Sequence, residues 1–364
     1  MALIFIDGFD HYDPQAVDAN GDRLLSRGKA SALSALARRI TGRRPASFAL
    51  RLPGEDGQSS GPRPSGYFKQ LPAPSGTLTL GAALRWEAVG GHGSPPVLLG
   101  IIDANSERAY QLRPWSDGRL ALQTWGRWMW EQTVAETVQL YTAGVWHYIE
   151  LQVVQGTPDL ADGSLTLRVN GNQVLHLSAQ LTRSASDGGL MGIYVGARNG
   201  EVAPARVDVD DLYVTDGSGT VNQGFLGDVR IDTLQPQASG SLQQWAVQPS
   251  GTQDWQALGD GLDHTLLSAA DPGLRHSVRM QALPALRSPV IHGVQLSLLA
   301  RKSDAGQASL RSLALSGAQT VLGPHAALGD SLLWSSTMIE QDPGAAAPWT
   351  PGSLAAAEFG AESA

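Results

Sequence analysis

Residues 206–236 set two alternating runs on either side of a short turn. RVDVDDLYV trades apolar and polar residues with a period of two, TDGSGTVNQG breaks it, and FLGDVRIDTLQ resumes at once. A period of two places successive side chains on opposite faces of a strand, and a Gly/Ser/Asp/Asn cluster is a turn signal. The stretch reads as a seam at which one β-domain, residues 1–217, closes and a second, residues 222–364, opens.

A chain of 364 residues is long for one core, so two domains are the natural expectation. Its 42% hydrophobic residues suffice to fill globular interiors, and 42 Gly with 21 Pro suit many short strands joined by tight turns. Only 16% of residues are charged and the formal net charge is -8, which argues against nucleic acid as a partner, since phosphate binding needs a basic stripe. There is no cysteine, so disulfides and thiolate metal sites are excluded. The opening MALIFIDGFD lacks a basic start and its apolar run is cut by Asp7. Neither a secretory signal nor a membrane anchor is expected there, and no later window is long enough for membrane insertion.

Residues 2–6 predict a first strand, followed by the acidic, aromatic turn DGFDHYDP. SALSALARRI has partial helical spacing through Leu33, Leu36 and Ile40, but GRRP ends it, and helix and loop both remain open. SFALRL predicts a strand, and a Gly/Pro/Ser-rich loop fills 53–66. From residue 77 strand follows strand: TLTLGAALRWEAV, PVLLGIIDA, RAYQLRPW and GRLALQTW, separated by GGHGSPP, ANSE and SDG. That interval is the one a sandwich shows. In WHYIELQV, Ile149, Leu151 and Val153 take one face and Tyr148, Glu150 and Gln152 the other. Leu165, Leu167 and Val169 alternate in the next run, and Asn170-Gly171 supplies the pair of positive φ angles that a tight hairpin needs. In the second half GVQLSLLARKSDAG, ASLRSLALSG and SLLWSSTMIEQDP read as further strands. No fixed period repeats, so a propeller or solenoid is not expected.

The acidic-aromatic opening, the phrase W-H-Y-I-E-L-Q followed by G-S-L-T-L-R-V-N-G, the seam, and the later ARKSDAG and AAAEFGAES together resemble a group of tailed-bacteriophage virion proteins. In that group a concanavalin A-like, laminin-G-like domain precedes a smaller β-domain. The resemblance implies an all-β chain, with an N-terminal jelly-roll sandwich and a second, smaller antiparallel β-sandwich. It also implies a tail appendage or fibre-type component made in a bacterial host cytoplasm, partnered by other virion proteins and assembled as a homotrimer.

Glucanases of this fold need two carboxylates facing one bond, about 5–5.5 Å apart for a retaining reaction, and the Glu-x-Asp-x-(x)-Glu run that supplies them is missing. The nearest acidic alternation, Asp208, Asp210 and Asp211, contains no Glu and reads as solvated or turn-capping, with a Ca²⁺ site as the lesser alternative. The eight histidines show no HExxH or H-x-H spacing, and no nucleophile elbow, Walker loop or dinucleotide fingerprint occurs. No catalytic residue, metal or cofactor is expected, and the chain reads as a non-enzyme.

One run stands out. WGRWMW, residues 125–130, places Trp128 and Trp130 on one face of a strand and Arg127 and Met129 on the other. Exposed rings stack on sugars and Arg bonds to hydroxyls or carboxylates, which makes Trp125, Arg127, Trp128 and Trp130 the candidate ligand-binding residues. The competing and stronger reading fills a core or subunit interface with the rings, each burying roughly 150–250 Å². Arg38, Arg39, Arg43 and Arg44 read as a solvated loop, or as a patch meeting an acidic neighbour in an assembly. The expected role is therefore a virion structural part that mediates assembly or host-surface contact. The alternative is a lectin-like module that binds a bacterial surface polysaccharide.

Overall fold

The computed structural model describes residues 2–12, 29–34, 37–52, 66–88, 95–126, 129–196, 205–259 and 265–364. Strands take 52% and helices 4%, so the chain is all-β as expected. Among the described residues, one compact unit holds 2–12 and 30–231, and the other holds Lys29 and 232–364.

The first unit has fifteen strands: β1 (Leu3–Asp7), β2 (Ala32–Leu33), β3 (Arg38–Thr41), β4 (Phe48–Leu52), β5 (Tyr67–Ser75), β6 (Thr77–Trp86), β7 (Val97–Asp103), β8 (Arg108–Pro114), β9 (Leu120–Gly126), β10 (Met129–Glu136), β11 (His147–Val154), β12 (Gly163–Val169), β13 (Asn172–Gln180), β14 (Leu190–Gly196) and β15 (Val207–Thr215). They form two antiparallel sheets. One runs β13-β12-β11-β6-β15-β4-β3, with β1 also on β15; the other runs β10-β9-β8-β7-β14-β5-β2. The run SALSALARRI, left between helix and loop by its spacing, contributes β2 and the start of β3.

Register rows build the core. In the first sheet Val214, Leu80, Leu151 and Leu167 stand opposite one another on neighbouring strands, and all are buried. In the second, Leu99, Leu112 and Leu122 form the matching row. Each such side chain contributes about 1.5–3 kcal/mol relative to exposure. At the β12–β13 hairpin Asn170 and Gly171 hold φ of 51° and 80°, as the turn chemistry requires.

The seam differs from its sequence pattern. FLGDVRIDTLQ predicts a strand, yet residues 216–235 form none, and up to Ile231 they belong to the first unit. The backbone N–H of Leu226 donates to the Tyr213 hydroxyl at 3.0 Å, and Gly227 N–H donates to Glu150 Oε1 at 2.8 Å. Ile231 N–H reaches Asp211 Oδ1 at 2.7 Å, and the Arg168 guanidinium lies 4.1 Å from the centre of the Phe225 ring. These backbone groups are satisfied by side chains projecting from the outer sheet face, so no partner strand is needed. The same segment accounts for the burial of Glu150, which alternation puts on the face opposite Ile149 and Leu151.

In the second unit, strands Pro236–Gln243, Arg275–Met280, Glu358–Ser363, Ser309–Ser316 and Gln319–Leu322 make an antiparallel sheet, and Val294–Ala300 pairs with Leu333–Ile339 as a ribbon. Phe359, Ala314 and Trp349 pack with Val294, Leu296 and Ile339 between the two. Thr350 caps the short helix Pro351–Ala356 through a reciprocal pair of bonds with Ser353.

Candidate functional site

The run WGRWMW does not lie on one strand. β9 ends at Gly126, β10 begins at Met129, and these two residues are register partners. The alternation read across the run therefore does not hold, because the chain reverses within it. Arg127 and Trp128, and the side chains of Met129 and Trp130, lie outside the described residues. Trp125 is half-buried, opposite Ala109 on β8, and packs beside Val97, Tyr194, Phe68 and Ile102.

Trp125 belongs to a larger arrangement that the sequence did not reveal. One register row crosses the whole seven-stranded sheet: Ala32, Phe68, Tyr194, Gly100, Gln111, Gln123 and Thr133. Strand alternation puts this row on the face opposite Leu99 and Leu112. The Tyr194 hydroxyl donates to Gln111 Oε1 at 3.1 Å, Gln111 Nε2 donates to Gln123 Oε1 at 3.3 Å, and Gln123 Nε2 donates to Thr133 Oγ1 at 3.2 Å. Gln111 Nε2 also bonds to Glu131 Oε1, which meets Arg113 Nη2 at 3.2 Å. A register shift between Met129 and Gln132 accompanies this placement of Glu131.

Gly100 makes the row possible. A Cβ there would stand 2.2 Å from the Tyr194 ring, so only glycine lets the ring lie across β7 and reach β8. Gln111, Arg113 and Tyr194 are buried, whereas Glu131 and Thr133 are exposed. The row is therefore fixed at its centre and open at its β10 end, with Trp125 two residues beyond Gln123 on the same face. Such an end offers a hydroxyl, a carboxylate and an indole to one ligand, with the buried Gln123 amide fixing the hydroxyl of Thr133.

The acidic alternation is placed quite differently from the solvated role its pattern implies. Asp208, Asp210 and Asp211 are all buried. Asp208 takes bonds from Arg51 Nε at 2.7 Å and Arg85 Nη2 at 2.7 Å, because both arginines are its register neighbours. Asp211 takes Arg43 Nε at 2.5 Å and Arg44 Nη2 at 3.1 Å. The acidic neighbour of the Arg43–Arg44 pair thus lies within the chain, because the turn after β3 brings both arginines to β15. Asp210 accepts from the backbone N–H groups of Arg43 and Asp211 at 3.0 and 2.9 Å. Burial, and then the neighbouring Asp211, push its carboxyl up to about 7.

No family model matches the chain, and no curated protein matches it. Solved structures of similar fold do exist. Alginate lyase Aly36B aligns at 13% identity with a TM-score of 0.42, over 58% of this chain and 95% of that one. Domain 4 of AbnA, a GH43 extracellular arabinanase from Geobacillus stearothermophilus solved with arabinotriose, aligns at 15% with a TM-score of 0.40, over 61% and 96%. An endo-beta-1,4-glucuronan lyase from the fungus Trichoderma reesei aligns at 14% with a TM-score of 0.37, over 50% and 87%. At such identities and TM-scores the likeness says nothing of what this chain does.

The expectation of a non-enzyme is withdrawn, because it rested on the absence of one hydrolase pattern, a pair of facing carboxylates. Two of the three structures named above are lyases. The missing pair therefore does not exclude an enzyme.

Proposed function

We propose that the chain is a saccharide-binding β-sandwich protein, and that its ligand lies at the β10 end of the seven-stranded sheet, on Trp125, Thr133 and Glu131, with Gln123 beneath them positioning Thr133. The observation that carries this reading is the hydrogen-bonded row from Tyr194 to Thr133, with the Trp125 ring beside it. Sugar recognition needs a flat apolar surface next to donors and acceptors whose geometry is set beforehand. The row supplies the second requirement, since each amide is held by its neighbour, and the indole supplies the first. Arg127, Trp128 and Trp130, from the same run of sequence, complete the proposed binding set.

The resemblance to tailed-phage proteins supports a setting for this activity: a tail appendage that docks on other virion proteins, assembles as a homotrimer and meets a host surface glycan.

Affinity electrophoresis in gels containing bacterial surface polysaccharide tests the binding. Retardation that is lost in Trp125→Ala and reduced in Gln123→Ala is the expected result. Equal mobility with and without polysaccharides from a broad panel, or retardation indifferent to both substitutions, overturns it. Mass spectrometry of purified particles and light scattering of the isolated chain test the virion setting and the trimer.

A further inference from the structure

The outer face of the eight-stranded sheet carries a second feature, independent of the face described above. Arg51 on β4, Asp208 on β15 and Arg85 on β6 stand opposite one another in a single register row. Arg206 and Glu87 continue the same face and pair at 2.8 Å. With Trp86, Ala88, Ala143 and Gly144 these residues line an open cleft of about 430 Å³.

The charges of this cleft do not balance. Three guanidinium groups face two carboxylates, on a chain whose formal net charge is -8. Asp208 is almost inaccessible, and it orients both Arg51 and Arg85 through their Nε and Nη2 atoms. Among the described residues, the Nη1 group of each has no protein partner. The Arg85 guanidinium is further held 4.7 Å from the centre of the Trp146 ring. Two arginines are thus immobilised at little further entropic cost, each with a donor edge left over.

We propose that this cleft binds the carboxylate of an acidic saccharide, a hexuronate unit. The arginine forks suit a carboxylate, for which charge-assisted pairing is strongest. The charges of Glu87 and Asp208 in the same lining disfavour a compact dianion such as phosphate, while the exposed Glu87 accepts hydrogen bonds from sugar hydroxyls. A monoanion rich in hydroxyl groups satisfies both halves of the lining; an inorganic anion satisfies one.

The test is isothermal titration calorimetry of the full chain at low ionic strength. The probes are a glucuronate-terminated trisaccharide, its carboxyl-reduced counterpart and inorganic phosphate. The acidic probe is expected to bind at least about tenfold more tightly than the reduced one, the difference made by a single charged hydrogen bond. Phosphate is expected not to displace it. Ala143→Trp fills the cleft while keeping every charged residue of its lining and is expected to abolish binding, Arg206→Gln to weaken it, and Trp125→Ala to leave it unchanged. Equal affinity for both sugars, displacement by phosphate, absence of binding, or binding indifferent to Ala143→Trp and Arg206→Gln each overturns the proposal. Loss of binding in Trp125→Ala alone moves the ligand to the other sheet and overturns it too.

Discussion

The hydroxyl of Tyr194 donates to Oε1 of Gln111 at 3.1 Å from two strands away, its ring lying over Gly100. The other sheet repeats the device. Tyr213, Gly81 and Glu150 share a register row, a Cβ on Gly81 would stand 2.2 Å from the Tyr213 ring, and the Tyr213 hydroxyl donates to Glu150 Oε1. In each sheet a glycine on the intervening strand lets a tyrosine bridge its two neighbours.

Gly100→Ala should displace the Tyr194 ring and destabilise the chain by about 1–3 kcal/mol, the usual cost of overpacking. Urea denaturation measures the loss. The same variant should weaken polysaccharide retardation, since the amides of Gln111 and Gln123 lose the anchor at the start of their row. Unchanged retardation in a folded Gly100→Ala protein would separate the row from binding.

Tyr213→Phe removes one of the donors to Glu150, a buried carboxylate whose Oε2 already lacks a hydrogen-bond partner among the described residues. A cost of about 1–3 kcal/mol is expected. Because Leu226 N–H also loses its acceptor, hydrogen exchange at Leu226 and Gly227 should accelerate ahead of the sheet amides.

Asp211→Ala leaves Arg43 and Arg44 without their shared carboxylate and should cost about 3–5 kcal/mol, as for breaking a buried pair. Asp228→Ala removes the other acidic partner of Arg43, a largely exposed one, and should cost less than about 1 kcal/mol. Comparable losses in the two variants would contradict the placement of Asp211.

Asp210 gives a pH dependence of defined sign. Its carboxyl is raised to about 7 in the fold from an ordinary value of 3.8. Between these values the folded chain holds a proton that the unfolded chain has lost, so stability falls as pH rises through this window and levels off above it. Below about pH 4 both states are protonated and the penalty vanishes. Relative to Asp210→Asn, the wild-type chain should lose on the order of 2–4 kcal/mol between pH 4 and 8. Denaturation midpoints of both proteins across that range measure it, and parallel curves would refute the burial of an ionisable Asp210.

Much of the fold was legible as pattern. Runs such as TLTLGAALRW and GSLTLRV alternate because one sheet face is apolar, and a period of two survives whatever the strand pairs with. The Asn170-Gly171 turn was equally plain, since its chemistry is local. SALSALARRI misled because two short strands with a break between them imitate helical spacing. FLGDVRIDTLQ misled for a different reason: it alternates like a strand, but its backbone is satisfied by Glu150, Tyr213 and Asp211 from the sheet it covers.

The site divides in the same way. Trp125 was visible as an aromatic signal, and the aspartates and arginines were visible as charge. Their pairing was not, because Arg43 and Asp211 stand 168 positions apart in the chain. The row from Tyr194 to Thr133 left no trace either, since its members come from five strands, each offering one unremarkable residue. Local alternation and turn chemistry determined from sequence alone that this is an all-β chain. Register between distant strands, set by the packing of the whole sandwich, decided which polar groups meet, and only the tertiary structure contains it.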